Sequence, residues 1–454
     1  MNNAIKNVYN AIGSYCSSLY ILTTETLRYK CNYYTYSEYI KSLALKFSRE
    51  NIFFIKLFQA VCTTSHPLLT DDVLQYLNTF TDNAPYTSSE IDIDSLERLT
   101  QEYSIEIKRP FVPIKSGTIS LIFEGTLKSE QGDGQESVII KCKRIGIDDK
   151  IKVAIHNMNH LISFTKIVPH VKNLNVYDIY NENKQSIVDQ LSFQKEVQNI
   201  ELFYSKWNKP GLDYIKIPKV YSNITNQFPN IIVMERIIGD TIYNICLEDK
   251  DCYAKILAKF NFKSVFYDSL YHGDIHPGNV FFIKELKVKS TASIDDEEDS
   301  EDFDSDDEKD KDKNYNYKIG VIDFGIVGKI SRKMQNTIFH LFKGLYEKKH
   351  ETVAQCIINE LVESKDKLTP EKKSELVDII SNYSENHFGK ETHRFLDAED
   401  IIKINKILYE FGLEFSKDFC KIELSFAISD SVCKLLTNKT TYIDQLLTIF
   451  SKYS

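Results

Sequence analysis

A chain of 454 residues, 42% hydrophobic and 27% charged, is long enough for two or more structural units and has the composition of a globular protein. Its formal charge of −9 comes from one segment, since residues 295–312 hold 13 acids and two lysines, and removing their net −11 leaves +2 for the rest. The near-neutral charge of the remainder excludes a basic nucleic-acid surface. No apolar run approaches the ~18–20 residues of a membrane span. The nine cysteines are scattered and include no CxxC pair, which excludes a metal finger.

Residues 1–100 are predicted to form a helical extension. Apolar positions recur at helical spacing in 40–45 and 52–61, where Lys56 and Gln59 share one helix face. The N-terminus has neither the apolar core nor the cleavage site of a secretory signal, and its lack of acids before Glu25 is only a weak indication of a transit peptide. We therefore expect a soluble intracellular protein, with mitochondrial or membrane-peripheral placement weakly supported.

From about residue 105 the hydrophobic period changes to two, which predicts strands and a hairpin. Strands are predicted at 121–127 and 138–143, separated by a glycine-containing turn. Lys141, near the end of the second strand, is either one exposed residue of an alternating strand or a lysine that binds nucleotide phosphates; the residues downstream favour the second interpretation.

A helix predicted over 187–203 contains Glu196, a candidate partner for the Lys141 ammonium. Taken alone, Glu196 reads as a solvated acid on a helix face. After a short strand at 231–234, residues 235–239 read as a connector between two lobes. The backbone there, at Glu235 and Ile237, is a candidate contact for adenine.

The stretch 271–280 carries the clearest chemistry. Asp274 is followed five residues later by Asn279, and the apolar run 319–322 leads into Asp323 in the sequence Asp-Phe-Gly. An Asp, an Asn at this spacing and a second Asp after a strand are what phosphoryl transfer requires: one Asp for the acceptor hydroxyl, and the Asn and second Asp for Mg²⁺. We therefore predict a kinase-like site with Asp274 as the catalytic residue.

Residues 290–316, between these two segments, form an acidic insert with almost no apolar residues, and we predict that it is disordered. Its flanks, 280–283 and 319–322, are expected to be adjacent strands joined at their tip by the insert. From residue 331 to the end the pattern is helical.

These residues resemble the UbiB (aarF-domain, ABC1-type) atypical kinase family over most of residues 45–440, most strongly in HGDIHPGN, VIDFG and the stretch 138–147. The resemblance implies an α+β, bilobal protein-kinase-like fold: a helical extension (1–100), a mainly β N-lobe (101–236) and a mainly α C-lobe (237–454). It also implies ATP and Mg²⁺ binding and a link to isoprenoid lipid or ubiquinone metabolism, with ATP and a lipid or membrane surface as partners. By resemblance Lys141 binds nucleotide, Glu196 pairs with it, and Asn279 and Asp323 bind Mg²⁺.

Three departures from the family pattern concern accessory motifs. The family's K-x-G-Q motif, a regulatory element, appears as Lys56-Leu57-Phe58-Gln59, with Phe58 in place of glycine. Its alanine-rich nucleotide loop appears as Lys115-Ser116-Gly117-Thr118, and its E-x-D appears as Gln190-Leu191-Ser192. These changes bear on substrate restriction more than on ATP binding.

Two other functions fit parts of the sequence. Small-molecule kinases related to choline or aminoglycoside kinases use similar HGDxHPGN loops, but the intact Asp-Phe-Gly and the helical extension favour the UbiB-like interpretation. A pseudokinase scaffold fits the altered accessory motifs, whereas the intact set of Lys141, Glu196, Asp274, Asn279 and Asp323 argues against it. The phosphoryl acceptor is not encoded in any motif.

Overall fold

The structure is a computed structural model that describes residues 2–50, 72–73, 76, 84–128, 134–165, 184, 187–287, 315–363, 366, 368–388 and 398–453. The chain divides into two compact units. The first comprises Met1–Gln198 and Lys219–Arg236, and the second comprises Asn199–Pro218 and Ile237–Ser454. The finer functional division into extension, N-lobe and C-lobe stays a prediction. None of the helices in the described part is long and apolar enough to cross a membrane.

The first unit is built on an antiparallel sheet of the strands β1 (Ile105–Ile107), β2 (Lys115–Ser116), β3 (Ser120–Lys128), β4 (Gln135–Lys143) and β6 (Ile231–Glu235). The strand order is β1-β3-β4-β6, and β2 adds to the sheet by pairing with β3. Its helices are α1 (Asn2–Lys30), α2 (Tyr36–Glu50), α3 (Ile93–Glu102), α4 (Ile147–Thr165), the start of α5 (Phe193–Trp207), and α6 (Ser222–Gln227). The strands predicted at 121–127 and 138–143 are confirmed.

Alternate residues of the sheet point to opposite faces, and each face has its own core. On one face, buried side chains of β3 and β4 pack with α3, and they include Leu121, Phe123, Val138, Ile140 and Cys142. On the other face, Ile232 of β6 packs with Ile119, α4 and the start of α5. The odd-numbered residues of β4 therefore point toward the face that α5 covers.

The second unit is mainly helical. Its described helices are the rest of α5, α7 (Lys250–Phe266), α8 (Arg332–Tyr346), α9 (His350–Cys356), α10 (Pro370–Phe388), α11 (Ala398–Glu410), α12 (Lys417–Leu436) and α13 (Tyr442–Tyr453). Its strands are β5 (Ile215–Lys216), β7 (Leu270–His272), β8 (Val280–Leu286), β9 (Tyr315–Val321), β10 (Val327–Lys329), β11 (Val362–Glu363) and β12 (Glu414–Phe415). The α+β organisation predicted from the sequence is confirmed.

The predicted pairing of 280–283 with 319–322 is confirmed. Strands β8 and β9 run antiparallel in a register that opposes Val280 to Val321 and Leu286 to Tyr315. The insert predicted over 290–316 is therefore too long by two residues, because Tyr315 and Asn316 belong to β9 and pair with Leu286 and Glu285. The remainder of the insert, and Lys56, Phe58 and Gln59, lie outside the described residues.

The helix predicted over 187–203 begins later than expected. A turn at 190–192 interrupts the helical pattern, and α5 starts at Phe193. The Ser192 hydroxyl accepts a hydrogen bond from the Lys195 amide at 3.3 Å, as a serine does when it caps a helix N-terminus. Ser192 thereby fixes where α5 begins, and so places Glu196 on the first turn of the helix.

Candidate functional site

Lys141 and Glu196 form a buried ion pair within the first unit. The Lys141 Nζ donates to Glu196 Oε1 at 2.6 Å, and the two side chains are 11% and 3% exposed. Lys141 reaches the helix because odd-numbered residues of β4 point toward α5, and Glu196 lies on the first turn of that helix. Each charge is desolvated and depends on the other, so the pair fixes the direction of the ammonium.

The predicted nucleotide loop 115–118 is a hairpin rather than an open loop. Lys115 and Ser116 form β2 and pair antiparallel with Ile122 and Leu121 of β3 through main-chain groups. The Ser116 hydroxyl donates to the Ala84 carbonyl at 2.5 Å, so it faces the chain that precedes the sheet. Lys115 and Ser116 are therefore strand residues and only the turn after them is loop, while the nucleotide-binding role of residues 115–118 stays a prediction.

The turn itself is held from behind. The Gly117 amide donates to the Ser120 carbonyl at 2.8 Å. The buried Arg144 guanidinium donates to the Gly117 carbonyl at 3.1 Å and, through Nε, to Glu90 at 3.0 Å. The Thr118 hydroxyl is buried and has no hydrogen-bond partner among the described residues. Arg144 thus fixes the turn through the main-chain carbonyl of Gly117 and makes no hydrogen bond to the Thr118 hydroxyl.

The two predicted adenine-contact positions have different surroundings. Glu235 ends β6, where its amide donates to the Lys219 carbonyl at 2.8 Å and its carboxylate accepts from the Lys219 amide at 3.1 Å. Ile237 is buried and packs on Gly320, where a Cβ would lie 2.6 Å from the Ile237 Cγ2. Only the backbone of Ile237 is therefore available for a contact with adenine. Its buried side chain requires a glycine at position 320, because any larger residue there would clash with it.

His272 connects the two segments that carry the aspartates. This fully buried side chain accepts a hydrogen bond at Nδ1 from the Asp274 amide at 3.2 Å. Because Nδ1 is an acceptor, Nε2 carries the proton and lies 2.5 Å from the Asp323 carbonyl. Burial lowers the pKa of His272, which favours this neutral form. His272 thus holds the Asp274 segment against the start of the Asp-Phe-Gly segment.

Asn279 is oriented by the same segment. Its side-chain nitrogen donates to the Asp274 carbonyl at 3.0 Å, so its side-chain oxygen is left as the acceptor. Its own carbonyl accepts from the Ile322 amide at 3.1 Å, one residue before Asp323. The structure therefore brings Asp274, Asn279 and Asp323 together within the second unit.

The Asp-Phe-Gly segment is fixed by its phenylalanine. Phe324 is fully buried, with its ring centroid 5.1 Å from those of Phe203 and His272. Its carbonyl accepts from the Asn199 side chain at 2.9 Å, and the Asp323 Oδ1 accepts from the Gly325 amide at 2.9 Å. These contacts orient the Asp323 carboxylate.

The donor set fits Mg²⁺. Asn279 offers an oxygen and Asp323 a carboxylate, and Mg²⁺ is usually held by one or two such groups together with water and phosphate oxygens. Within the described ranges, no cluster of three or more His, Cys, Asp or Glu side chains is arranged to hold a metal ion.

Sequence reasoning assigned no role to His272, Asn199 or Arg144. His272 stands beside Asp274 in the printed motif, so its presence was visible although its two hydrogen bonds were not. Asn199 lies three residues after Glu196, close to one helical turn further along α5. Arg144 directly follows β4, and nothing local in the sequence indicates that it reaches Gly117.

Helix α12 is hydrogen-bonded to the segment that carries Asp274. The buried Ser425 hydroxyl donates to the His272 carbonyl at 2.8 Å. The Ser429 hydroxyl donates to the Ser425 carbonyl at 3.0 Å and accepts from the Asn261 side chain at 3.1 Å. A buried hydrogen-bonded chain therefore ties the segment to α7 and α12.

Two residues before Ser425, burial raises the pKa of Glu423 to about 7 from 4.5. The folded protein then keeps a proton that the unfolded chain releases, so stability falls as pH rises from about 4.5 to about 7. Glu423→Gln should raise the free energy of unfolding at pH 8 by about 2 kcal/mol, allowing for the partial exposure of the side chain. Urea denaturation at pH 8 and pH 5 measures this, and an equal gain at both values would contradict it.

Comparison with known proteins shows which family this chain matches. The profile described as the ABC1 atypical kinase-like domain matches residues 102–357, which is more than half of the chain. The chain is 32% identical over 176 residues to a probable protein kinase UbiB of Blochmanniella pennsylvanica, covering 37% of this chain and 31% of that protein. It is 24% identical over 334 residues to an uncharacterized aarF domain-containing protein kinase, chloroplastic, of Arabidopsis thaliana, covering 69% and 52%.

Among solved structures, the fold is similar to that of Rv3197 of Mycobacterium tuberculosis, solved with erythromycin. The TM-score is 0.45 and the identity 14%, covering 76% of this chain and 80% of that chain. The chain spans about a third to a half of the length of the two curated relatives.

Proposed function

The chain belongs to the ABC1 atypical kinase-like family, and from that premise we propose that it is an ATP-dependent phosphotransferase or ATPase that uses Mg²⁺. The observation that carries this proposal is the arrangement in the second unit. His272 joins the Asp274 segment to Asp323, and Asn279 is turned so that its side-chain oxygen is an acceptor. Phosphoryl transfer needs positioning and charge stabilisation, and these residues supply both.

The contacts of this chain's residues and the family resemblance support the following proposed roles. Lys141, held by Glu196, binds phosphate oxygens, and residues 115–118 cover the phosphates with their backbone. Asp274 accepts the proton of the acceptor hydroxyl or orients it for in-line attack. Asn279 and Asp323 hold Mg²⁺, which neutralises phosphate charge when it is bound. The backbone at Glu235 and Ile237 contacts adenine.

The acceptor and the cellular setting are proposed by family resemblance. We propose that the protein acts in isoprenoid lipid or ubiquinone metabolism, with a lipid or a membrane surface as its partner. Lys56 and Gln59 are proposed to regulate access to the site. The family match favours this function over a choline- or aminoglycoside-type kinase.

ATP turnover by the purified protein tests the proposal. The rate is measured with and without Mg²⁺, with and without vesicles of neutral and anionic lipid, and with a generic protein substrate. We expect Mg²⁺-dependent turnover that vesicles increase. Binding of MgATP without turnover in any condition would instead identify a pseudokinase scaffold.

A further inference from the structure

Lys143, two residues after Lys141, forms a second bridge from β4 to the start of helix α5. Its side chain is 9% exposed, and its Nζ donates to the Leu191 carbonyl at 2.8 Å and to Asp148 Oδ1 at 2.7 Å. Every partner of this bridge lies in the first unit. Neither the proposed catalysis nor the proposed metal site uses Lys143.

The two lysines meet the same helix because of strand geometry. Residues i and i+2 of a strand point to the same face, so Lys141 and Lys143 both point toward α5. Lys141 meets Glu196 on the first turn, and Lys143 meets the carbonyl of Leu191, two residues before the helix begins. The first turn of α5 and the segment just before it are thus each attached to β4, which restricts displacement and rotation of the helix start.

This second attachment matters because a lysine–glutamate pair works only while its helix stays in place. A rotation or displacement of α5 that separated Glu196 from Lys141 would also carry Leu191 away from Lys143. The nearly buried ammonium would then lose a charge-assisted hydrogen bond. Conformations in which a displacement of α5 opens the Lys141–Glu196 pair are therefore made less populated by the Lys143 contact.

We propose that Lys143 is a positioning residue that holds α5 so that Lys141 stays directed at nucleotide phosphate. The contact uses a main-chain carbonyl of the stretch Gln190-Leu191-Ser192, so it needs no acidic side chain there. This inference rests on the proposed function, because it assigns Lys143 to the phosphate-binding step of the same site.

The test separates phosphate binding from general stability. Lys143→Met keeps most of the packing volume and removes the donor. Affinities for MgATP and for adenosine are measured by calorimetric titration. ATP affinity should fall about tenfold, the effect of losing one hydrogen bond to a charged group, while adenosine affinity stays within about twofold because adenosine has no phosphate.

Asp148→Asn is the matched control, since it removes the ion pair but leaves the donation to Leu191; its ATP affinity should stay within about twofold of the unsubstituted chain. Lys143→Arg keeps a donor and should restore most of the loss. Combined with Glu196→Gln, Lys143→Met should add little, because both act through Lys141. If Lys143→Met does not fold, Lys143→Gln, whose amide is too short to reach Leu191, replaces it with the same expected loss.

Equal ATP affinity in Lys143→Met, or a parallel loss for ATP and adenosine, would overturn the positioning role while leaving the proposed function standing. An unsubstituted chain that binds no MgATP would overturn both.

Discussion

Asp274→Asn is expected to lower ATP turnover by about 10³-fold while MgATP affinity stays within about threefold. The large loss follows because the side chain that orients the acceptor or takes its proton contributes about 10²–10⁴-fold in general acid–base catalysis. The structural contacts of this residue are main-chain contacts: its amide donates to His272 and its carbonyl accepts from Asn279. An asparagine keeps both, so the segment should retain its conformation.

The measurement is single-turnover ATP hydrolysis or transfer, alongside calorimetric binding of MgATP and a thermal melt. An unchanged melting temperature identifies the loss as chemical. Turnover within tenfold of the unsubstituted chain would show that Asp274 is not the catalytic residue.

Asp323→Asn is expected to weaken MgATP binding by about 100-fold, since even the outer-shell partners of a metal ligand are worth 10–100-fold in metal affinity. The substitution removes a charge but keeps the structural contacts of residue 323. Its carbonyl still meets His272, and an amide oxygen can still accept from the Gly325 amide. The fold of the segment should therefore survive.

The difference in ATP affinity between Asp323→Asn and the unsubstituted chain should disappear when Mg²⁺ is withdrawn. In EDTA, Asp323→Asn and the unsubstituted chain should bind ATP with the same weak affinity, because the difference between them is the metal. If the two chains differ equally with and without Mg²⁺, or do not differ at all, Asp323 is not the ligand.

The residues of the candidate site were visible in the sequence because phosphoryl transfer requires fixed residue types at short spacings. Asp274 and Asn279 are five residues apart on one segment, and the apolar runs on either side of the insert predicted the β8–β9 pairing that brings Asp323 to them. The Asp274, Asn279 and Asp323 set downstream made Lys141 a candidate, and its 2.6 Å contact with Glu196 needed only a helix on the facing side.

The supporting contacts were not visible, because most of them end on main-chain groups. Lys143 meets the carbonyl of Leu191, Arg144 meets the carbonyl of Gly117, and Ser425 meets the carbonyl of His272. A main-chain carbonyl carries no residue identity, so no pattern of side chains predicts which one a distant donor reaches. The strand pairing of Lys115 and Ser116 was not visible for the same reason, since strand pairing is a main-chain contact.

The central claim is that this chain binds ATP through Mg²⁺, and calorimetric titration of ATP into the purified unsubstituted protein tests it most directly. With Mg²⁺ present, we predict saturable binding at one site per chain, which weakens strongly when EDTA replaces Mg²⁺. Saturable binding of equal affinity in both buffers, or no binding with Mg²⁺ present, would contradict the account.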